Sequence, residues 1–214
     1  LTRAMGLSQI SDQWWSLFHL YNTLGWAVGI VVLGLLVYIL IRYRHRPGAA
    51  EPEDAPKGGV IPSERGSAAG AILLTLIVTG ILFPLTVYTI STVDLIEHPP
   101  EKGTIVVKVE GFQWGWKFTY PNGKQLVGEL RIPAGEVVIF EVRSSDVFHN
   151  FGVVDFKVKA DAIPGKVIKI WIDPLKTGTY LIRCFEFCGV GHPLMTAKVV
   201  VMEPREFGQW YGKR

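Results

Sequence analysis

The chain has two cysteines, and both lie in one run of twelve residues, Cys184-Phe185-Glu186-Phe187-Cys188-Gly189-Val190-Gly191-His192-Pro193-Leu194-Met195. Two thiols, an imidazole and a thioether are soft ligands, which select copper over hard cations. Gly189, Gly191 and Pro193 disfavour a regular helix, so the run reads as a loop wrapped around a centre. A second imidazole, His149, stands upstream in Asp146-Val147-Phe148-His149-Asn150. Each group alone has a plainer reading. Two extracytoplasmic cysteines commonly form a disulfide; a lone Met is commonly core and a lone His a surface group. The combination decides otherwise. A disulfide explains neither His192 nor Met195, and a Cys2His2 zinc site gives Met195 no role. A mononuclear blue-copper site needs one Cys, two His and a weak axial Met. Cys188, His149, His192 and Met195 supply all of these, which leaves Cys184 surplus. A second thiolate permits two sulfurs to bridge two copper ions, and a bridged pair shares one electron with little change in geometry.

Such a loop needs a frame. Short β-branched, alternating runs occur at 104–109, 113–120, 137–143, 167–172, 179–184 and 196–202. Turn signals separate them: Pro121-Asn122-Gly123, Pro133-Ala134-Gly135, Ile163-Pro164-Gly165 and Lys176-Thr177-Gly178. This spacing predicts an antiparallel β-sandwich with Greek-key links, whose end loops are free to build a site. The cysteine loop follows one strand, and His149 is expected at the end of another. The tail, 204–214, is compatible with a short helix.

The N-terminal part differs. Of 214 residues 49% are hydrophobic and only 19% charged, too apolar for a typical soluble domain. Two runs of 25 positions, 17–41 and 68–92, carry no charged residue. About 20 apolar residues cross a bilayer as a helix. The first run is too long for a signal h-region, no small-residue cleavage site follows it, and Arg42, Arg44 and Arg46 close it as a stop-transfer flank. Between the runs lie Arg42, Arg44, Arg46, Lys57 and Arg65, against Arg3 alone before them. The positive-inside rule therefore makes 42–67 a cytoplasmic loop and places everything after 92 outside. Pro, Gly and acidic residues make 47–67 a flexible connector. His19, Asn22 and Thr23 can face a neighbouring subunit; His45 and His98 read as interface or surface residues, and Glu64 as a solvated loop charge. The expected organisation is an α+β membrane protein, with a transmembrane hairpin over 1–98 and a sandwich domain over 99–214.

Together these features resemble the copper A domain of cytochrome c oxidase subunit II, in the haem-copper oxidase family. The family's pattern is two cysteines with three residues between them, then His and Met at the spacing found here, and every ligand position is filled. Lys159-Ala160-Asp161-Ala162-Ile163-Pro164-Gly165-Lys166 is similar to the stretch after the family's first His ligand. Phe112-Gln113-Trp114-Gly115-Trp116-Lys117-Phe118-Thr119-Tyr120 is similar to its aromatic strand. The likeness covers nearly the whole chain and implies a cupredoxin-like sandwich. It implies Cys184 and Cys188 as bridging thiolates, with His149 and His192 as one imidazole on each copper. Met195 would be the weak axial ligand of one copper and the Glu186 carbonyl that of the other. The Glu186 carboxylate would turn toward a magnesium site shared with the catalytic subunit. In the family an indole of the aromatic strand lies over the copper site and receives the electron. Trp114 is the expected residue, ahead of Trp116, while Phe118 and Tyr120 are expected in the core.

The implied function is the electron-accepting subunit of a respiratory terminal oxidase. Its partners would be subunit I and further oxidase subunits in the plasma membrane, preferred here to the mitochondrial inner membrane. The donor would be cytochrome c or a similar protein on the outer side; nucleic acid is not an expected partner. Two features depart from the mitochondrial pattern. From Pro99 onward there are 16 Lys and Arg against 12 Asp and Glu, a net of +4. Such a domain cannot steer a basic donor by its overall field, so docking through an apolar patch, an acidic donor or a membrane-tethered one is expected. No Cys-x-x-Cys-His motif is present in these residues, so electrons are expected to come from a separate protein. From sequence three rivals stay open: the same port feeding nitric oxide reduction, a membrane-anchored copper-delivery protein, and a structural subunit with a Cys184–Cys188 disulfide.

Overall fold

The two uncharged runs become helices α1 (Gln9–Arg42) and α2 (Ala68–Glu97) in a computed structural model that describes residues 6–44, 47–48, 59, 66–99 and 105–212. Arg3, His45, Arg46, Lys57, Glu64, Arg65 and Thr104, and most of the expected connector, lie outside the described residues. Each helix is long and apolar enough to cross a membrane. At 1.5 Å per residue, 34 and 30 residues both exceed the roughly 30 Å of a hydrocarbon core. One compact unit is His19–Ile90, and almost all of its apolar side chains are exposed. A helix that is apolar all round and uncovered is built for lipid. The Tyr21 hydroxyl joins the two helices by a hydrogen bond of 2.7 Å to Thr89 Oγ1. Thr89 in turn donates to the Leu85 carbonyl.

Both helices outrun the uncharged stretches, because a helix ends where its backbone groups find other partners and not where charge appears. Ser8 and Ser11 form a reciprocal cap at the start of α1: each backbone N–H donates to the other's hydroxyl, at 3.0 and 3.1 Å. The Asp173 carboxylate accepts the Gln9 N–H at 3.0 and 3.1 Å, a favourable charge at a helix N-terminus. At the far end of α2, Trp171 Nε1 donates to the Ile96 carbonyl at 3.0 Å. These contacts fall within the second compact unit, which joins the described residues up to Phe18 with those from Ser91 onward.

That unit contains ten strands: β1 (Ile105–Phe112), β2 (Gly115–Thr119), β3 (Gln125–Val127), β4 (Glu129–Pro133), β5 (Val138–Ser144), β6 (His149–Val153), β7 (Val158–Ala162), β8 (Ile168–Ile172), β9 (Gly178–Cys184) and β10 (Thr196–Met202). A short helix, α3 (Pro204–Gly212), follows. One sheet has the order β3-β2-β1-β5-β8 and the other β4-β10-β9-β6-β7. Alternate residues point inward, and Val107, Val109, Trp116, Phe118, Phe140 and Val142 meet Leu130, Ile132, Phe151, Ile182 and Val199 in the core.

The fold departs from the sequence reading in three ways. The sheets are mixed, because β1 pairs parallel to β5 and β4 parallel to β10. Four strands escaped notice. Gly128 alone separates β3 from β4, while Asn and Gly in β6 and Ala in β7 blur the alternation. Finally, the strand expected over 113–120 is β2, shortened to 115–119 by the turn at Gln113 and Trp114, and His149 opens β6 instead of closing the strand before it.

Tyr120 ties the aromatic strand to the opposite sheet. Its buried hydroxyl donates to the Arg131 carbonyl at 2.8 Å and accepts the Arg131 N–H at 2.7 Å. Its ring packs edge-on against Trp210 of α3. Tyr120→Phe strands both backbone groups and is expected to cost about 1–3 kcal/mol. Thermal unfolding of the full chain in detergent should show a lowered Tm with unchanged secondary structure; an unchanged Tm would show the bridge to be energetically idle.

Candidate metal centre

Three connections meet at one end of the sandwich: the β1–β2 turn with Gln113 and Trp114, the β5–β6 loop ending at His149, and the β9–β10 loop carrying both cysteines. Sheet pairing brings the last two together. In the β6–β9 ladder Phe151 faces Cys184, and the Phe185 N–H donates to the Asn150 carbonyl at 3.0 Å. The β9–β10 loop is pinched at its base, where the Cys184 N–H donates to the Met195 carbonyl at 3.1 Å. Gly189 turns it at a φ of 115°, a conformation that other residues rarely adopt.

The loop brings the sulfurs together without joining them. Cys184 Sγ and Cys188 Sγ are 3.8 Å apart, and both cysteines are free. A disulfide would hold them at about 2.0 Å. His149 Nδ1 lies 3.9 Å from Cys184 Sγ, and the ligand atoms of His149, Cys184 and Cys188 all fall within 4.8 Å of one another. On the other side, His192 Nδ1 is 3.5 Å and Met195 Sδ 3.7 Å from Cys188 Sγ. The Glu186 carbonyl is 3.3 Å from Cys184 Sγ. His149 and Met195 are wholly buried, and both cysteines nearly so. Every residue expected at the centre from sequence is therefore gathered around the two sulfurs.

The donor set suits a soft metal. Two sulfurs 3.8 Å apart, each about 2.3 Å from one ion as in zinc–thiolate sites, would meet it at roughly the tetrahedral angle. Met195 is a poor hydrogen-bond partner, and its Sδ next to Cys188 Sγ is matched by copper better than by zinc or a hard cation. Without a metal the Cys188 thiol resists ionisation. Burial, with the neighbouring Cys184 next, pushes the Cys188 thiol up to about 11.

Asp146 and Gln113 belong to the site and were missed in the sequence. Asp146 Oδ1 accepts from His149 Nε2 at 2.8 Å, which turns Nδ1 toward the sulfurs. The same carboxylate accepts the Val147 N–H at 2.6 Å and the Gln113 N–H at 2.7 Å, tying the imidazole to the β1–β2 turn. These bonds and His149 hold the Asp146 carboxyl below its ordinary range against the opposing effect of burial, the largest single influence. The three-residue spacing between Asp146 and His149 is the one sequence cue. The Gln113 side chain donates to the Cys188 carbonyl at 2.8 Å.

The two tryptophans separate cleanly. Trp114 is exposed, its Nε1 donates to the Cys188 carbonyl at 3.1 Å, and its ring lies on Gly191, where any Cβ would collide with it. Trp116 is wholly buried, edge-on to His149 at 6.0 Å between ring centres. Phe118 and Tyr120 are core residues. The loops that carry the site expose apolar side chains: Phe187, Val190 and Leu194 are each more than three-quarters exposed, and Val147 and Phe148 are exposed as well.

Comparison with known proteins agrees with this geometry. A family model described as cytochrome c oxidase subunit II, periplasmic domain, matches residues 126–203. The heme-copper oxidase subunit 2 of Aeropyrum pernix is 39% identical over 207 residues, covering 92% of this chain and 88% of that protein. The cytochrome c oxidase subunit 2 of Alkalihalophilus pseudofirmus is 35% identical over 86% of this chain and 53% of its own length. Among solved structures, the periplasmic domain of subunit II of the cytochrome oxidase of Bradyrhizobium japonicum is 33% identical with a TM-score of 0.51, covering 53% of this chain and 94% of that one. The chain belongs to the subunit II family of the haem-copper oxidases. Its sandwich is the cupredoxin-like fold that the sequence implied.

Asp146→Asn keeps the shape but removes the charge that orients His149. Copper affinity, read by competition with a chelator, should fall about 10–100-fold. An unchanged affinity would show that the imidazole is placed by packing alone.

Proposed function

We propose that this chain is the electron-accepting subunit of a respiratory terminal oxidase, working through a dinuclear copper A centre. The observation that carries the reading is the pair of buried, unbonded sulfurs 3.8 Å apart, flanked by one imidazole on each side. Cys184 and Cys188 would bridge, His149 and His192 would each serve one copper, and Met195 and the Glu186 carbonyl would be weak axial ligands. The copper pair, when bound, spreads a single electron over both ions, so little rearrangement accompanies transfer.

The protein's own residues do the rest. Pinched loop and paired strands hold the donors in place beforehand, so gaining or losing an electron moves them little. Trp114 lies between solvent and the Cys188 carbonyl, a short through-bond route to a bridging sulfur. Electrons would leave toward the haem and copper of subunit I, which reduces O2 to water. The Glu186 carboxylate would face a magnesium ion shared with that subunit. The hairpin over 1–98 would anchor the chain in the plasma membrane, with 99–214 on the outer side. The donor, cytochrome c or a similar redox protein, would dock on the apolar side chains exposed by the site's loops, because a domain of net +4 offers a basic partner no attractive field.

Two rivals fit less well. A copper-delivery protein must release its metal, whereas His149, Cys184, Cys188 and Met195 are all buried. A structural disulfide requires sulfurs in bonding contact.

The full chain, purified in detergent and loaded with copper, should give an electron paramagnetic resonance spectrum split by two equivalent copper nuclei. Cys184→Ser should convert it to splitting by a single nucleus. A single-nucleus spectrum from the unaltered chain would overturn the dinuclear assignment. In the intact oxidase, electron uptake from a basic cytochrome c should vary little as salt is raised; a steep fall would show charge-steered docking instead.

A further inference from the structure

Beside the first turns of α1 lies a cavity of about 310 Å³ that the electron-transfer reading leaves unused. Its walls are Trp14, three valines of the β6–β7 hairpin (Val153, Val154, Val158) and Phe185; its charges are Lys157 and Lys159. We propose that this cavity binds the phosphate of an anionic membrane-lipid headgroup. The proposal rests on reading α1 as a membrane span.

Three observations converge on that ligand. The first is charge. No carboxylate lines the cavity, and among the described residues neither lysine is ion-paired. Lys157 Nζ instead sits 5.0 Å from the centre of the Trp14 ring and 5.3 Å from that of Trp15, and Lys159 Nζ 5.8 Å from that of Phe185. Two ammonium groups held on aromatic faces keep donors free for an anion.

The second is backbone cost. Lys157 has a φ of 60°, the left-handed conformation that glycine adopts freely and other residues avoid. A lysine at the one turn position suited to glycine is best explained by a use for its ammonium group.

The third is depth. Trp14 stands two residues after Asp12, the last charged residue before the long apolar stretch of α1. Trp14 stacks on Phe18, and Trp15 meets both rings edge-on, forming the amphipathic aromatic cluster found where a span meets the headgroups. A cavity walled by Trp14 therefore lies at phosphate level, where each nearby lysine attracts anionic lipid. The valines and Phe185 give the glycerol and upper acyl carbons an apolar wall. Phe185 adjoins Cys184, and its ring lies flat on Gly152, so an occupant would touch the side chain next to a bridging sulfur.

The test uses the full chain in dodecyl maltoside, with phosphatidylglycerol and phosphatidylcholine as probes and native mass spectrometry as readout. One phosphatidylglycerol should be retained per chain, and phosphatidylcholine should not compete. The double variant Lys157→Gly, Lys159→Gln should weaken phosphatidylglycerol binding about 30-fold, from the loss of two charges near the headgroup. Because glycine suits the backbone at 157, Tm should hold or rise. Equal retention of the two lipids, or undiminished binding by the variant, would overturn the proposal. Displacement of the lipid by millimolar inorganic phosphate would also overturn it, in favour of a free-anion site. So would loss of oxidase subunits from the variant complex with lipid binding intact, since the lysines would then serve a protein partner. Insertion into pure phosphatidylcholine vesicles checks the membrane span separately: a chain that inserts but does not discriminate between lipids refutes the site alone.

Discussion

Two thiols buried 3.8 Å apart are an unfavourable arrangement in the absence of a cation. Burial, with the neighbouring Cys184 next, keeps Cys188 from ionising cheaply, and the two sulfurs stand outside bonding distance. Packing against β6 and the bond from the Cys184 N–H to the Met195 carbonyl fix the loop from outside. The sandwich can be understood as the structure that enforces this separation. A metal held between thiolates removes both the desolvation cost and the mutual repulsion.

From that constraint the neighbouring features follow. An imidazole must reach the sulfurs from another strand, and Asp146 fixes its direction while also gripping the turn that carries Trp114. The Cys188 carbonyl is held twice, by Gln113 and by Trp114. The indole is therefore anchored to the loop it covers, and the absence of a side chain at Gly191 lets it lie flat. One carboxylate and one carbonyl thus tie the exposed face of the site to its buried centre.

Much of this was legible in the sequence, because soft donor groups announce themselves by residue type. Cys184, Cys188, His192 and Met195 sit in one short loop, so their proximity needed no knowledge of the fold. The two spans were legible for a similar reason, since an uncharged run is a local property. The helix ends were not, because Asp173 and Trp171 hold the ends of α1 and α2 through contacts distant in sequence. The parallel pairings of β1 with β5 and β4 with β10 are equally non-local. Asp146 was in plain view but silent, as aspartate in a loop is ordinary until its acceptor geometry is seen. Trp114 and Trp116 stand two residues apart in one aromatic run, but Trp114 falls in the β1–β2 turn against the cysteine loop and Trp116 points from β2 into the core.

The central claim is that the two sulfurs hold two metals that share one charge. Coulometric reduction of the copper-loaded full chain, with copper counted in the same sample, tests it directly. The account requires two coppers per chain and one electron taken up for the pair. One electron per copper, or a single copper per chain, would contradict it.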